Sequence, residues 1–401
     1  MSCSRALRSR VERAAARLWP AVSALGRDLH ARPELSLKEV RSSRRLQRFL
    51  AGEGFTLRSG VAGLPTAFVA RRRGRRDGGR VALLAEYDAL PGIGHACGHN
   101  LIGAAAVGAA AAVGRVAEDI RGEIVVIGTP GEETIGGKAL MAERGAFRGI
   151  DAALMFHPSG ENRVYTTSLA CHSLEVVFHG RAAHAVAAPE RGIDALQALI
   201  RLFVEVERLV RSLPAGVRIP GVIVEGGLRA NIVPDRAVGR FSLRSPDLRM
   251  LRRVEGRFRA LVTRIARARG ARASIRPLDH PYAEMLTNRT LADIFKRELR
   301  RLGRRTVDTP RRNMGSLDMG NVSQIVPAIH PYVAIAPRSV PLHSPAFARH
   351  AGGPGGRLGL RVATQALALT ALQALCGDGT LERASAEFRG RRGAGRGRSS
   401  R

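Results

Sequence analysis

A mixed α/β fold is what the sequence predicts: a mostly parallel sheet flanked by helices forms a catalytic domain, and an α+β lid or dimerisation domain is inserted into it. Three observations lead there. The chain has 401 residues, 45% of them apolar, enough at ~150 residues per domain for two or three real cores. Strand-like runs alternate with helical periodicity in the first and last parts of the chain, the pattern of a parallel sheet. Near Cys171 the texture changes to strand, helix, strand, strand, helix, strand, which suits a small antiparallel sheet carrying two helices.

The elements follow in order. Residues 11–55 carry helical apolar spacing broken at Pro33, with an amphipathic helix at 39–52 stopped by Gly54. Strands are expected at 66–70, 81–85, 124–128 and 152–156, separated by an Ala/Gly-rich buried helix at 101–116 and a helical stretch at 138–143. The insert has strands at 174–178, 222–225, 237–243 and 273–277 and helices at 193–213 and 248–269. A helix at 291–302, a Gly/Asp-rich loop at 314–320, a strand at 332–336 and a closing helix at 358–375 return to the first domain. The expected division is 1–172 and 285–385 for the catalytic domain, 173–284 for the insert and 386–401 for a disordered Arg/Gly tail.

Composition narrows function. A formal charge of +31 invites a nucleic-acid partner. Yet only three of the 65 basic residues are lysine (Lys38, Lys138, Lys296), and 4% aromatic content leaves little for base stacking. The densest basic runs, RRRGRR at 71–76 and RGRRGAGRGRSSR at 389–401, read as a hairpin loop and a chain end. No specific nucleic-acid or membrane partner is expected, since no apolar run reaches the ~18 residues of a span. Four dispersed cysteines exclude a disulfide scaffold and fit a reducing compartment. With no signal-peptide core behind the first arginines, a soluble cytoplasmic protein is expected.

The chemistry concentrates at strand ends. Segment 86–100, EYDALPGIGHACGHN, sets Cys97 and His99 two residues apart, a thiolate and imidazole pair suited to a borderline divalent ion. Taken alone, it reads equally as a glycine-rich turn with a buried thiol. After the next strand, Glu132 and Glu133 point to different sides, so one can ligate metal while its neighbour serves as a base. His157 follows a third strand, and His343 sits in a polar loop.

These residues resemble the dinuclear aminoacylase/carboxypeptidase-type metallopeptidases, metallopeptidase family twenty. The resemblance spans nearly the whole chain and rests on LHARPELSLKEV (29–40), GHACGHN (94–100), GEETIGGK (131–138), HGRAAHA (179–185) and HSPAFA (343–348). Within that family the sequence is similar to the branch of hippurate, aminobenzoyl-glutamate and indole-acetyl-amino-acid hydrolases. The resemblance implies two divalent ions (Zn, Mn or Co) held by Cys97, His99, Glu133, His157 and His343, with the Cys97 thiolate bridging. It implies Glu132 as general base, Asp88 orienting a ligand imidazole, and His184 lending a hydrogen bond to the oxyanion, often across a dimer interface. Asn231 and Arg244 resemble the pair that grips a substrate carboxylate. His95 is expected to be structural.

Two departures bear on substrate. Where much of the branch has Asp-x-Asp and Cys-Gly-His-Asp, this chain has Glu86-Tyr87-Asp88 and Asn100. With Gly-Gly-Lys at 136–138 and GNVSQIVPAIHPY at 320–332, they are similar to the Xaa-Arg (β-alanyl-lysine) dipeptidase subgroup. The expected activity is hydrolysis of a dipeptide or short N-acyl amino acid by a homodimer. The alternatives are an N-acyl-amino-acid or aminobenzoyl-glutamate amidohydrolase and, outside enzymes, a basic nucleic-acid-binding protein on an inactive scaffold.

Overall fold

The structure, a computed structural model, describes residues 3–309 and 315–397. Helix α1 (Arg5–Ala31) starts at Ser4, whose hydroxyl accepts from Leu7 N–H. Its stripe of Val11, Leu18, Val22, Leu25 and Leu29 is buried. Then come α2 (Val40–Gly52), β1 (Thr56–Ser59), β2 (Phe68–Arg73), β3 (Arg76–Ala85), α3 (His99–Gly114), β4 (Arg121–Gly128), α4 (Glu132–Ile135), α5 (Gly137–Glu143), β5 (Ala152–Leu154) and β6 (His157–Ser159). Every residue of α3 is buried. Its alanines and glycines let α1 and β3 approach closely.

The insert holds β7 (Ala170–His179), α6 (Ala195–Arg211), β8 (Gly221–Glu225), β9 (Arg236–Ser245), α7 (Leu248–Ala268) and β10 (Arg272–Pro277). Its strands run β10-β7-β9-β8, every pair antiparallel. Asp194 and Asp247 cap its two helices through Gln197 and Met250 N–H. Leu199, Leu202, Phe178, Phe241 and Phe258 fill its core. The chain resumes with α8 (Arg289–Arg301), α9 (Met319–Ser323), β11 (Ala328–Ile329), β12 (Tyr332–Ala334), α10 (Pro345–Gly352), α11 (Pro354–Leu375) and α12 (Thr380–Gly397).

Contacts divide the chain into two units. One holds 1–167, 285–313 and 321–401; the other holds 168–284 and 314–320. The second unit therefore takes in residues the sequence assigns to the flanking domain, because β7 already starts at Ala170. In the first unit a six-stranded sheet runs β1-β2-β4-β3-β5-β11. The β4-β3, β3-β5 and β5-β11 pairs are parallel, whereas β1-β2 and β2-β4 are antiparallel. This is the expected mixed, mostly parallel fold.

Four features differ from the sequence reading. The run at 71–76 is not a hairpin loop: β2 and β3 lie on opposite sides of β4, and Gly74 N–H bonds Gly122 O at the strand's end. Helix α11 is long and apolar enough to cross a membrane, but most of it is buried inside the protein. Cys3 and Cys376, 373 residues apart, form a disulfide.

The tail supplies the fourth difference. It continues as α12 to Gly397, and residues 398–401 of the expected disordered segment lie outside the described ones. What orders it is specific. The Glu387 carboxylate accepts from Arg289 and Thr290 N–H, and the Ala384 carbonyl accepts from Asn288 Nδ2. Glu387 thereby satisfies the open amides at the start of α8. Truncation before Thr380 is expected to cost about 1–2 kcal/mol of stability, whereas truncation after Arg391 should cost less than about 0.5 kcal/mol. Denaturant midpoints of the two truncations check this.

Candidate active site

Three parallel strands deliver the site at their carboxyl ends, where open α/β sheets gather ligands. After Ala85 of β3, alternation sends Glu86 and Asp88 to one side and Tyr87 to the other, where its hydroxyl donates to Thr66 O. The chain turns back through Cys97 so that His99 opens α3. Gly98 must be glycine there: its φ is +81°, and a Cβ would stand 2.7 Å from Pro158 Cγ. After β4, Glu132 and Glu133 form the first turn of α4. After β5, His157 opens β6, which pairs with β12. His343, φ 58°, is a rare non-glycine residue in the left-handed region. Its N–H is tied to Ala96 O at 3.1 Å, which fixes the loop against the Cys-Gly-His turn.

These segments bring the predicted ligand atoms together. Cys97 Sγ lies 3.2 Å from His157 Nε2. His99 Nε2 is 3.8 Å from Glu133 Oε1 and 4.0 Å from Glu132 Oε2, and His343 Nε2 is 3.7 Å from Glu133 Oε1. Three overlapping groups, Cys97 with His99 and His157, Cys97 with Glu133 and His343, and His99 with both glutamates, each hold their donor atoms within 4.8 Å of one another. His99 Nε2 and Glu133 Oε1 are buried without a hydrogen-bond partner. Soft thiolate, imidazole and carboxylate donors converging on unsatisfied atoms fit divalent cations.

The imidazoles are oriented from behind. His99 Nδ1 meets Asp88 Oδ1 at 2.8 Å, and His157 Nδ1 meets Pro158 O at 2.7 Å. Each contact leaves Nε2 to face the cluster. Asp88 also accepts from Ser36 Oγ and Glu133 N–H, so one carboxylate aligns a ring and the glutamate turn together. Burial lowers His157 to about 3, with His330 adding to the effect. Burial would lower His99 too, but Cys97, Glu86 and Asp88 around it outweigh this and raise the imidazole. Burial raises the Cys97 thiol, so a neighbouring cation is what would favour its thiolate.

The LHARPELSLKEV segment acts as scaffolding. Glu34 accepts from Arg41 and Ser42 N–H at the start of α2. Glu39, fully buried, accepts from Leu37 and Gly131 N–H and from Thr66 Oγ1, thus gripping the loop that carries Glu132. Burial pushes its carboxyl up to about 7 from the ordinary 4.5, and the Asp88 charge adds to this. In the metal-free protein the folded state therefore holds a proton that the unfolded state has already lost between those values. Stability falls as pH rises through that window, by about 1–3 kcal/mol. Glu39→Gln is expected to flatten this fall, read from urea midpoints between pH 4.5 and 7.5.

Sequence reasoning passed over two buried groups. His330 packs 5.4 Å, ring to ring, from His157, and burial lowers it to about 4. Glu86 is ion-paired with Lys138, both buried. His95, read from sequence as structural, is buried.

His184, Asn231 and Arg244 lie in the second unit. Exposed His184 bridges to Ile232, and Ala185 N–H donates to Asn231 O. His184 Nδ1 accepts from Val186 and Ala187 N–H, which puts the neutral ring's proton on Nε2, the tautomer of a donor. Half-buried Arg244 rests on Ser242 and Ser316.

Residues 82–348, more than half of the chain, match Peptidase family M20/M25/M40. The chain belongs to that family and is a hydrolase. It is 35% identical to an Xaa-Arg dipeptidase of Mus musculus over 95% of this chain and 90% of that one. It is 31% identical to one subunit of the p-aminobenzoyl-glutamate hydrolase of Escherichia coli over 68% of this chain and 60% of that one. Among solved structures, it is similar to a dinuclear metal-binding peptidase from Bacillus subtilis (TM-score 0.68, 23% identity, 90% of this chain and 99% of that one). A Klebsiella pneumoniae aminobenzoyl-glutamate utilization protein superposes with TM-score 0.71 at 20% identity, over 90% of this chain and 98% of that one.

Proposed function

We propose that the chain is a metal-dependent amidohydrolase that cleaves a dipeptide, or a short N-acyl amino acid, with a free carboxylate. The observation that carries this is the cluster of donor atoms from Cys97, His99, Glu133, His157 and His343 with Glu132 beside it. Those five residues would hold two divalent ions. Bound there, the ions polarise the amide carbonyl and lower the pKa of water. Glu132 takes the proton from the attacking water and returns it to the departing amine. Asp88 keeps His99 aligned, and Glu39 keeps the Glu132 turn in place. Asn231 and Arg244 would hold the substrate carboxylate, for which the guanidinium fork is suited. The 35% identity to an Xaa-Arg dipeptidase favours dipeptides with a basic C-terminal residue. The test is turnover of such dipeptides against N-acyl amino acids and aminobenzoyl-glutamate by metal-loaded protein. Preference for an N-acyl amino acid would move the substrate to the second class, and no turnover of any would reject the reading.

The same proposal makes the enzyme a homodimer of the cytoplasm, where Cys97 would stay a thiol and the Cys3–Cys376 disulfide would have to persist against a reducing pool. Strand β8 is a sheet edge, and its Val222, Ile223 and Val224 are all exposed. Such an apolar edge suits pairing with a second copy. His184 of one protomer would then serve the oxyanion in the other. Mixing His184→Ala with Glu132→Gln protein should restore up to about a quarter of wild-type activity, since half the dimers gain one complete site. No recovery despite demonstrated subunit exchange would overturn action in trans.

A further inference from the structure

Glu86, where this chain departs from Asp-x-Asp, meets Lys138 of the Gly-Gly-Lys run in space. Lys138 Nζ is bonded to Glu86 Oε1, each side chain being about 1–2% exposed. The other oxygen, Glu86 Oε2, is buried with no hydrogen-bond partner. It stands 3.3 Å from His99 Nε2, which is also unpartnered. Two donors at ~2.0–2.2 Å from one cation stand about 3.3 Å apart when arranged tetrahedrally. A buried carboxylate oxygen without a partner, aimed where a ligand imidazole is aimed, is placed for an ion.

We propose that Glu86 is a sixth protein contact of the metal centre: its Oε2 joins His99 Nε2 on one ion, while Lys138 holds Oε1 and fixes the carboxylate's orientation. The extra methylene of glutamate over aspartate gives the reach. Lys138 balances the charge that the longer acid brings into the interior, as a buried carboxylate requires. The carboxylate also makes that position harder than thiolate and imidazole alone would. The inference rests on His99 being a metal ligand.

The experiment is titration of the metal-stripped protein with Co(II) alone, followed by visible absorption and the thiolate charge-transfer band, for wild type, Glu86→Gln, Lys138→Met and the double variant. Wild type is expected to take up two ions with a thiolate band; if it does not, the metal-centre reading itself fails. Glu86→Gln should weaken one ion at least about 10–100-fold, the range seen for mere outer partners of ligands. That variant also leaves the Lys138 cation unbalanced near the site, so the double variant decides. Persistent weakening there supports the contact. Wild-type affinity in the double variant overturns it and reduces Glu86 to a partner of Lys138. Lys138→Met should keep both ions and gain more thermal stability on loading than wild type does, because the ion then satisfies an otherwise unpaired carboxylate. An equal gain counts against the proposal.

Discussion

Glu132→Gln is expected to keep both metal ions and to lose about 10²- to 10⁴-fold in kcat, roughly 3–5 kcal/mol of transition-state stabilisation. The amide has nearly the shape of the carboxylate but cannot accept a proton. Glu132 Oε2 is 4.0 Å from His99 Nε2, beside the cluster, while its neighbour Glu133 lies within 3.8 Å of both His99 and His343. On the proposed division of work, with Glu133 as ligand and Glu132 as base, the loss should fall on kcat with KM little changed. Retention of more than about a tenth of wild-type kcat would mean that another group takes the proton.

Cys97→Ala should behave differently, lowering metal occupancy together with rate. Cys97 belongs to two of the three donor groups, one with His99 and His157 and one with Glu133 and His343. Removing a donor common to both groups should weaken an ion held in either. Elemental analysis after dialysis is expected to give less than one ion per chain, and chelator competition should show an affinity loss of at least about 10–100-fold. Cys97→Ala protein holding two ions per chain would overturn the bridging assignment.

Much of this was legible in sequence because period and spacing are local. Helices α6 and α7 and strands β7 and β9 lie within a few residues of their expected bounds, since each pairs an amphipathic period with a clear stop. The cluster was legible because every member sits directly after a strand or in a marked loop. What stayed hidden depends on partners distant in sequence. The two-stranded pairing of β6 with β12 joins residues about 175 apart; β12 falls inside the expected strand at 332–336, but β6 has no alternation long enough to read and neither strand shows its partner. Helix α12 looked like a disordered basic tail because the groups that order it, Asn288, Arg289 and Thr290 N–H, are about 100 positions away. Glu86 stands out in sequence as a departure and Lys138 as part of the Gly-Gly-Lys run, but only the fold shows them as one pair.

The central claim is that this donor cluster is a two-ion centre for amide hydrolysis. The most direct measurement is activity on an Xaa-Arg dipeptide as metal-stripped protein is titrated with Zn(II), Mn(II) or Co(II), with bound metal counted at each point. No turnover is expected without metal, and a rise that completes at two ions per chain. Full turnover by the stripped protein, or none by protein carrying two ions across the whole dipeptide and N-acyl panel, would contradict it.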